Sequence, residues 1–215
     1  YPDSIGDLYS RVTELLGFRS NAEEQKVQWL STSGLPVYAS LFDEVFPRDA
    51  DWASHSSRQY FDGERSARGG FSSRFYQALG LADNAPVPQR IAADVAASLQ
   101  ASVEKAVLRL AGEGENLCLG GGVFLNVLLV EALERSGQFR NVYVSPAPDN
   151  TGTAFGALCI AWHQVLGESS RMSLGSFCLG PEFTTEDIKR VFENCKLHFH
   201  MLLTTDAILT TAIDQ

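Results

Sequence analysis

The sequence predicts an α/β protein whose parallel strands are flanked by helices. Three observations carry this. Residues 88–166 alternate helix, strand, helix, strand, helix, which implies a parallel sheet covered by helices. Two turns, GGG at 120–122 and PAPDNTG at 146–152, each follow a short apolar strand and open a helix. The composition is that of a globular chain, 45% hydrophobic and 20% charged over 215 residues.

Taken in order, SIGDLYSRVTELLGF places Ile5, Leu8, Val12, Leu15 and Leu16 on one helical face. Ser4 and Asp7 resemble a capping box, and Gly17 is a good stop. SNAEEQKVQWL repeats the logic, with Ser20 and Glu23 ahead of Val27 and Leu30. PVYASLFDEVF predicts a third helix with Pro36 in its first turn. Residues 47–87 are rich in Ser, Arg, Asp and Gly and read as a loop-rich insertion. Within it a short strand pair is expected near Tyr60 and Phe61, and a short helix over 72–79.

The clearest helix follows. Ile91, Val95, Leu99, Val103 and Val107 recur every four residues, with Leu110 three further on. NLCL is a strand, and a helix is predicted from about Phe124 to Ser136, ended by Gly137. NVYVS is a second strand, and a helix runs from about Thr151 to Leu166. Beyond Gly167 the chain reads as a linker with a strand, then a capped helix from Thr184 or Thr185. In LHFHMLL, His198 and His200 alternate as on a strand, which would present both to one face.

Net charge is −9. That argues against a nucleic-acid partner, which needs clustered cations. It leaves room for a nucleotide, because backbone amides can hold phosphates. No apolar run reaches bilayer length, so no membrane partner is expected. The four cysteines, Cys118, Cys159, Cys178 and Cys195, form no Cys-x-x-Cys pair. Cys118 and Cys159 read as small core residues, and a reduced, cytoplasmic setting is expected. The chain opens at Tyr1 and ends in a helix-like pattern, so a stretch of something longer is expected.

The two turns are the candidate site. In an open parallel sheet, ligands bind beyond the carboxyl ends of the strands. Glycines there let a phosphate approach the backbone, and the following helix offers free N–H groups. Asn126 is expected in or just after the first helical turn, where its amide could reach a base or a ribose. Asp149 or Asn150 could cap the next helix. A tight turn in a crowded core would use the same glycines, so pattern alone leaves both roles open. Gly152 and Gly156, one helical turn apart, suit close helix packing. His55 and His163 stand apart from any ligand cluster, and Lys26 with Glu23 and Glu24 suits a solvated helix face.

These blocks, in order, resemble the carbamoyltransferases of the nodulation-protein and antibiotic-tailoring type. SIGDLYSRVTELLGF is similar to that family's opening helix. NAEEQKVQWLSTSG resembles a segment usually reading Lys-Val-Met-Gly-Leu-Ala-x-x-Gly. LCLGGGVFLN is similar to Leu-Cys-Leu-Ala-Gly-Gly-Val-Ala-Leu-Asn, and PAPDNTGTAFGA to Pro-x-x-x-Asp-x-Gly-x-Ala-x-Gly-Ala. The resemblance implies an RNase H-like lobe of an actin/Hsp70-type ATPase core, with helical insertions, related to threonylcarbamoyl-transfer enzymes. It implies carbamoyl transfer to an acceptor hydroxyl through carbamoyl adenylate, made from carbamoyl phosphate and ATP. Gly121, Gly122 and Asn126 would hold the nucleotide part of that intermediate. Gly152 and Thr153 would shape the facing wall, and Lys26 would reach the cleft.

Four departures accompany the resemblance. The family's upstream His-x-x-x-His metal motif and its arginine-rich adenylating motif are not in this sequence. Asn150 stands where the family has an aspartate metal ligand, and a neutral amide is a poorer ligand for iron or manganese. WLSTSG differs from the usual segment. Residues 1–170 are therefore expected to form the second lobe of the core, with 171–215 a linker and the start of a following, truncated domain. The missing N-terminal lobe and C-terminal domain of the same protein would be its partners, and this stretch alone would hold no complete active site. A kinase or ATPase with the same core, and a degenerate interaction scaffold, are the alternative expectations.

Overall fold

A computed structural model gives the fold, and the structure describes residues 4–46, 59–62, 70–171 and 180–214. The chain divides into two compact units, up to Ser169 and from Ser170.

In the first unit, helix α1 spans Ile5–Leu15, with Ser4 accepting the Asp7 N–H as its cap. Asp7 does not complete a capping box; its carboxylate pairs with Arg11 at 2.7 Å. Helix α2 is Glu24–Ser31, starting later than the Ser20 signal implied. The left-handed backbone of Asn21 (φ 59°) delays it, and Asn21 N–H bonds forward to Glu24. Helix α3 is Ala39–Val45, so Pro36 precedes it rather than sitting in its first turn. Phe61 and Phe71 form an antiparallel bridge, the one part of the expected strand pair that is described. Residues 47–58, including His55, and 63–69 of the insertion lie outside the described residues. Helix α4 follows at Ser73–Ala78.

Helix α5, Gln89–Ala111, is the centre of this unit and packs against α1, α2, α3 and α6 (Val127–Arg135). Val95, Leu99 and Val103 are fully buried, as their period requires, together with Val12, Val27, Phe42, Leu129 and Leu133. Fully burying such side chains contributes about 1.5–3 kcal/mol each. Gly112, at φ 67°, ends α5. Gly34 lets α2 and α5 meet, because a Cβ there would collide with the Ala93 carbonyl. Just beyond it, Leu35 N–H donates to Asp94 Oδ1 at 2.8 Å and Tyr38 N–H to Ser98 Oγ at 2.9 Å.

Strand β1, Gly114–Leu119, pairs in parallel with β2, Phe139–Val144, in the register Asn116 to Asn141 and Leu119 to Val144. These two form the sheet among the described residues. Leu117, Val142 and Val144 pack on the core, while Cys118 and Tyr143 are exposed. Cys118 is thus not a core residue: its neighbours Leu117 and Leu119 take the inward positions of the pleat. Cys159 is only half-buried. Helix α7 is Thr153–Ile160, and its last turn widens into a π-helix at Ala161–Val165. Gly156 meets nothing within 4 Å, so it is not the helix-packing glycine expected.

The second unit contains α8, Thr185–Asn194, and α9, Thr205–Ile213. Thr184 and Asp187 form the capping box that the sequence announces. The expected linker strand falls largely on 172–179, outside the described residues. His198 and His200 lie in irregular backbone rather than a strand. No helix among the described residues is long and apolar enough to cross a membrane.

Candidate functional site

Two strand-to-helix turns meet beyond the carboxyl ends of β1 and β2. The Gly121 N–H donates to the Pro148 carbonyl at 2.6 Å and ties them together. Gly121 has φ 120°, a backbone that side-chain-bearing residues rarely adopt. Gly122 faces Asp149, whose Cβ lies 3.7 Å from where a Gly122 Cβ would stand. After the glycines the chain makes one 3-10 turn, Gly122–Leu125, before α6 begins.

A cleft of about 1500 Å³ opens in front of these turns. Its walls are the start of α1, the entry to α2, the end of α5, Leu117 and Leu119 of β1, residues 120–126, and Asp149 with Asn150. Asp7, Glu24 and Asp149 line it, and no lysine or arginine does among the described residues. Ser10 donates to Glu24 at 2.6 Å, which orders one wall. Asp149 Oδ1 accepts from both the N–H and the hydroxyl of Thr151, and these bonds hold its carboxyl below the usual range. Tyr9 is buried at the base, and burial first, then the Glu104 carboxylate, pushes its phenol above the ordinary range.

A carbamoyltransferase N-terminus model matches residues 1–159. The chain belongs to the carbamoyltransferase N-terminus family. An uncharacterized protein of Synechocystis is 36% identical over 204 residues, which is 88% of this chain and 33% of that protein. A nodulation protein U of Azorhizobium caulinodans is 37% identical over 97 residues, 41% of this chain and 17% of its own length. Nodulation protein NolNO of Sinorhizobium fredii is 28% identical over 191 residues, covering 86% and 26%. The chain thus spans about a third or less of these curated relatives.

The site residues expected of a carbamoyltransferase are brought together in part. Gly121, Gly122, Asn126 and Asn150 line the one cleft. Asn126, however, is the N-cap of α6 rather than a residue of its first turn. Its Oδ1 accepts the Leu129 N–H at 3.1 Å and its Nδ2 donates to Gln100 at 2.8 Å, so its amide faces inward. The Gly121 N–H is likewise engaged, so Gly121 shapes the turn and does not donate from it. Gly152 serves the turn: a Cβ there would collide with the Ala147 carbonyl. Thr153 donates to the Asn150 carbonyl at 2.7 Å. Lys26 is not among the lining residues; its amine pairs with Glu23 at 2.7 Å and lies over the Phe18 ring. That hydrogen bond holds the Glu23 carboxyl below its usual range.

Among the described residues no group of three His, Cys, Asp or Glu could hold an ion; Asn150 is neutral, and Asp149 Oδ1 already accepts from Thr151. Sequence reading also missed Tyr9, Gln100, Asp7 and Glu24. The available signal was α5 itself, which interleaves Ser98, Gln100 and Ser102 with its buried apolar positions.

Proposed function

We propose that this stretch forms one wall of the nucleotide cleft of an O-carbamoyltransferase, within an RNase H-like lobe. The observation that carries the reading is the joined pair of turns, Gly121 to Pro148, at the head of a cleft in a family-matched sequence. In the proposed reaction, carbamoyl adenylate arises from carbamoyl phosphate and ATP elsewhere on the polypeptide. The acceptor hydroxyl oxygen then attacks the carbamoyl carbon. A new C–O bond forms, the bond from that carbon to the adenylate phosphate oxygen breaks, AMP leaves, and the hydroxyl proton passes to solvent or a base. Holding carbonyl and hydroxyl in register is this cleft's contribution.

The lining chemistry says which part of the nucleotide fits. With Asp7, Glu24 and Asp149 around it and no cation among its lining residues, this wall suits the uncharged nucleoside and disfavours a polyphosphate. Countercharge for the phosphate, and any divalent metal, comes from other parts of the protein. Helix α7 supports that view of the partners. Phe155, Leu158, Ile160 and Val165 are all exposed on a helix apolar on every side. Such a helix belongs in an interior, and the remaining lobe and domain of the same polypeptide would enclose it. A cytoplasmic setting suits an ATP-consuming reaction.

Titration calorimetry of the full polypeptide with ATP tests the reading. Binding that is lost in Gly121→Val, with cooperative unfolding kept, is the expected result. No measurable binding of any adenine nucleotide by the unmodified protein would sink it.

A further inference from the structure

Beneath the glycine turn three elements meet through buried side chains. Tyr9 of α1, Gln100 of α5 and Asn126 at the head of α6 are 3%, 5% and 3% exposed. Leu129 N–H donates to Asn126 Oδ1, and Asn126 Nδ2 donates to Gln100 Oε1 at 2.8 Å. Gln100 Nε2 donates to Glu104 Oε1 at 2.7 Å, and the Tyr9 hydroxyl donates to Gln100 Oε1 at 3.1 Å.

A side-chain amide carries a donor end and an acceptor end, and its neighbours decide which way it faces. Here both ends of the chain decide alike. An ionised Glu104 only accepts, so Gln100 must turn its NH₂ toward it. The first turn of α6 offers unpaired N–H groups, so Asn126 must turn its carbonyl toward Leu129. The Gln100 carbonyl and Asn126 NH₂ are left facing each other, as acceptor and donor. The shorter bonds therefore run from the positive end of α6 to the Glu104 carboxylate, with one longer return contact from Gln100 Nε2 to Asn126 Oδ1 at 3.4 Å.

We infer that Gln100 and Glu104 are positioning residues for the cleft. The directed chain fixes the head of α6, and so the glycine turn before it, and ties Tyr9 and α1 to the same point. Both walls are set from below, by groups that touch no ligand. The link to ligand affinity rests on the nucleotide reading above; the direction of the chain does not.

A purely packing role makes no demand on direction, whereas a directed chain can be reversed. Asn126→Asp sets a second acceptor against Gln100 Oε1. Adding Glu104→Gln lets Gln100 turn over, its NH₂ now facing the new carboxylate and its carbonyl the new amide. The wild type, both single variants and the double variant of the full polypeptide are compared by urea midpoint and by calorimetric affinity for ATP. Expected are a lowered midpoint and roughly tenfold weaker ATP binding for Asn126→Asp. The double variant should recover most of both losses. Additive losses in the double variant would overturn the inference. Should Asn126→Asp fail to fold, Gln100→Met keeps the side-chain length and removes the chain. Lowered ATP affinity with cooperative unfolding is then expected, and wild-type affinity would overturn it. If the wild type binds no ATP, the nucleotide reading fails by itself, and the midpoints alone decide the direction.

Discussion

A side chain at position 121 would have to adopt φ near 120°, where L-residues are strained by about 1–3 kcal/mol. Gly121→Val should therefore lower the unfolding free energy read from urea titration by that amount, even though a Cβ there meets only ordinary contact with Phe124 at 4.0 Å. Gly152→Ala should cost more per added atom, because the Ala147 carbonyl occupies the place of the new methyl. A loss for Gly152→Ala no larger than for Gly121→Ala, in parallel urea titrations, would contradict the close approach. Tyr9 offers a pH test. Its phenol is raised above the ordinary value of about 10, so the fold favours the neutral form. That stabilisation is complete below pH ~10 and is lost as pH rises through the folded value. Alkaline unfolding should begin above pH ~10, and Tyr9→Phe should flatten that loss. An unchanged alkaline profile in Tyr9→Phe would place the titrating group elsewhere.

At the level of elements, α5 decides most of the packing. Leu99→Ala, at a fully buried position, should destabilise by about 2–5 kcal/mol in urea unfolding. The α3–α5 contact carries a second pH signature. Partial burial works against the Asp43 carboxylate, but hydrogen bonds from Lys105 and Ser102 outweigh it and hold its pKa below the usual range. A depressed carboxylate stabilises above its unfolded value and loses that contribution as pH falls. The stability gap between wild type and Asp43→Asn should thus close on acidification through the carboxylate range, read by urea midpoints. A gap independent of pH would rule that pairing out. The order of elements was legible because α1 and α5 carry their periodicity in plain view. Three boundaries were not. Asn21 and Asn126 each interrupt a helical pattern with backbone choices that only neighbouring elements settle, and Pro36 could equally precede α3 or open it. The cleft's two turns were readable from glycine and proline. The Tyr9–Gln100 bond, 91 residues apart in sequence, and the Lys26 ion pair were not, since local pattern does not choose between distant partners.

At the scale of the whole molecule, the first unit pairs a dense helical interior with a two-stranded parallel sheet and an uncovered apolar helix. A parallel pair of strands ordinarily has both faces covered. Amide hydrogen exchange should therefore divide this unit, slow along α5 and fast along α7 and the Tyr143 face of β2 when the stretch is studied alone. Protection of α7 in the full polypeptide would mark it as interior, and equal exchange in both would show that nothing encloses it. The missing side chain at Gly34 has its own mechanical outcome. Because the backbone just after α2 runs against that of α5 there, and the following loop is pinned to Asp94 and Ser98, α2 is tied to α5 at its C-terminal end. A nucleotide bound as proposed would therefore meet a tied jaw on this side, and a closing stroke would be delivered from the opposite jaw.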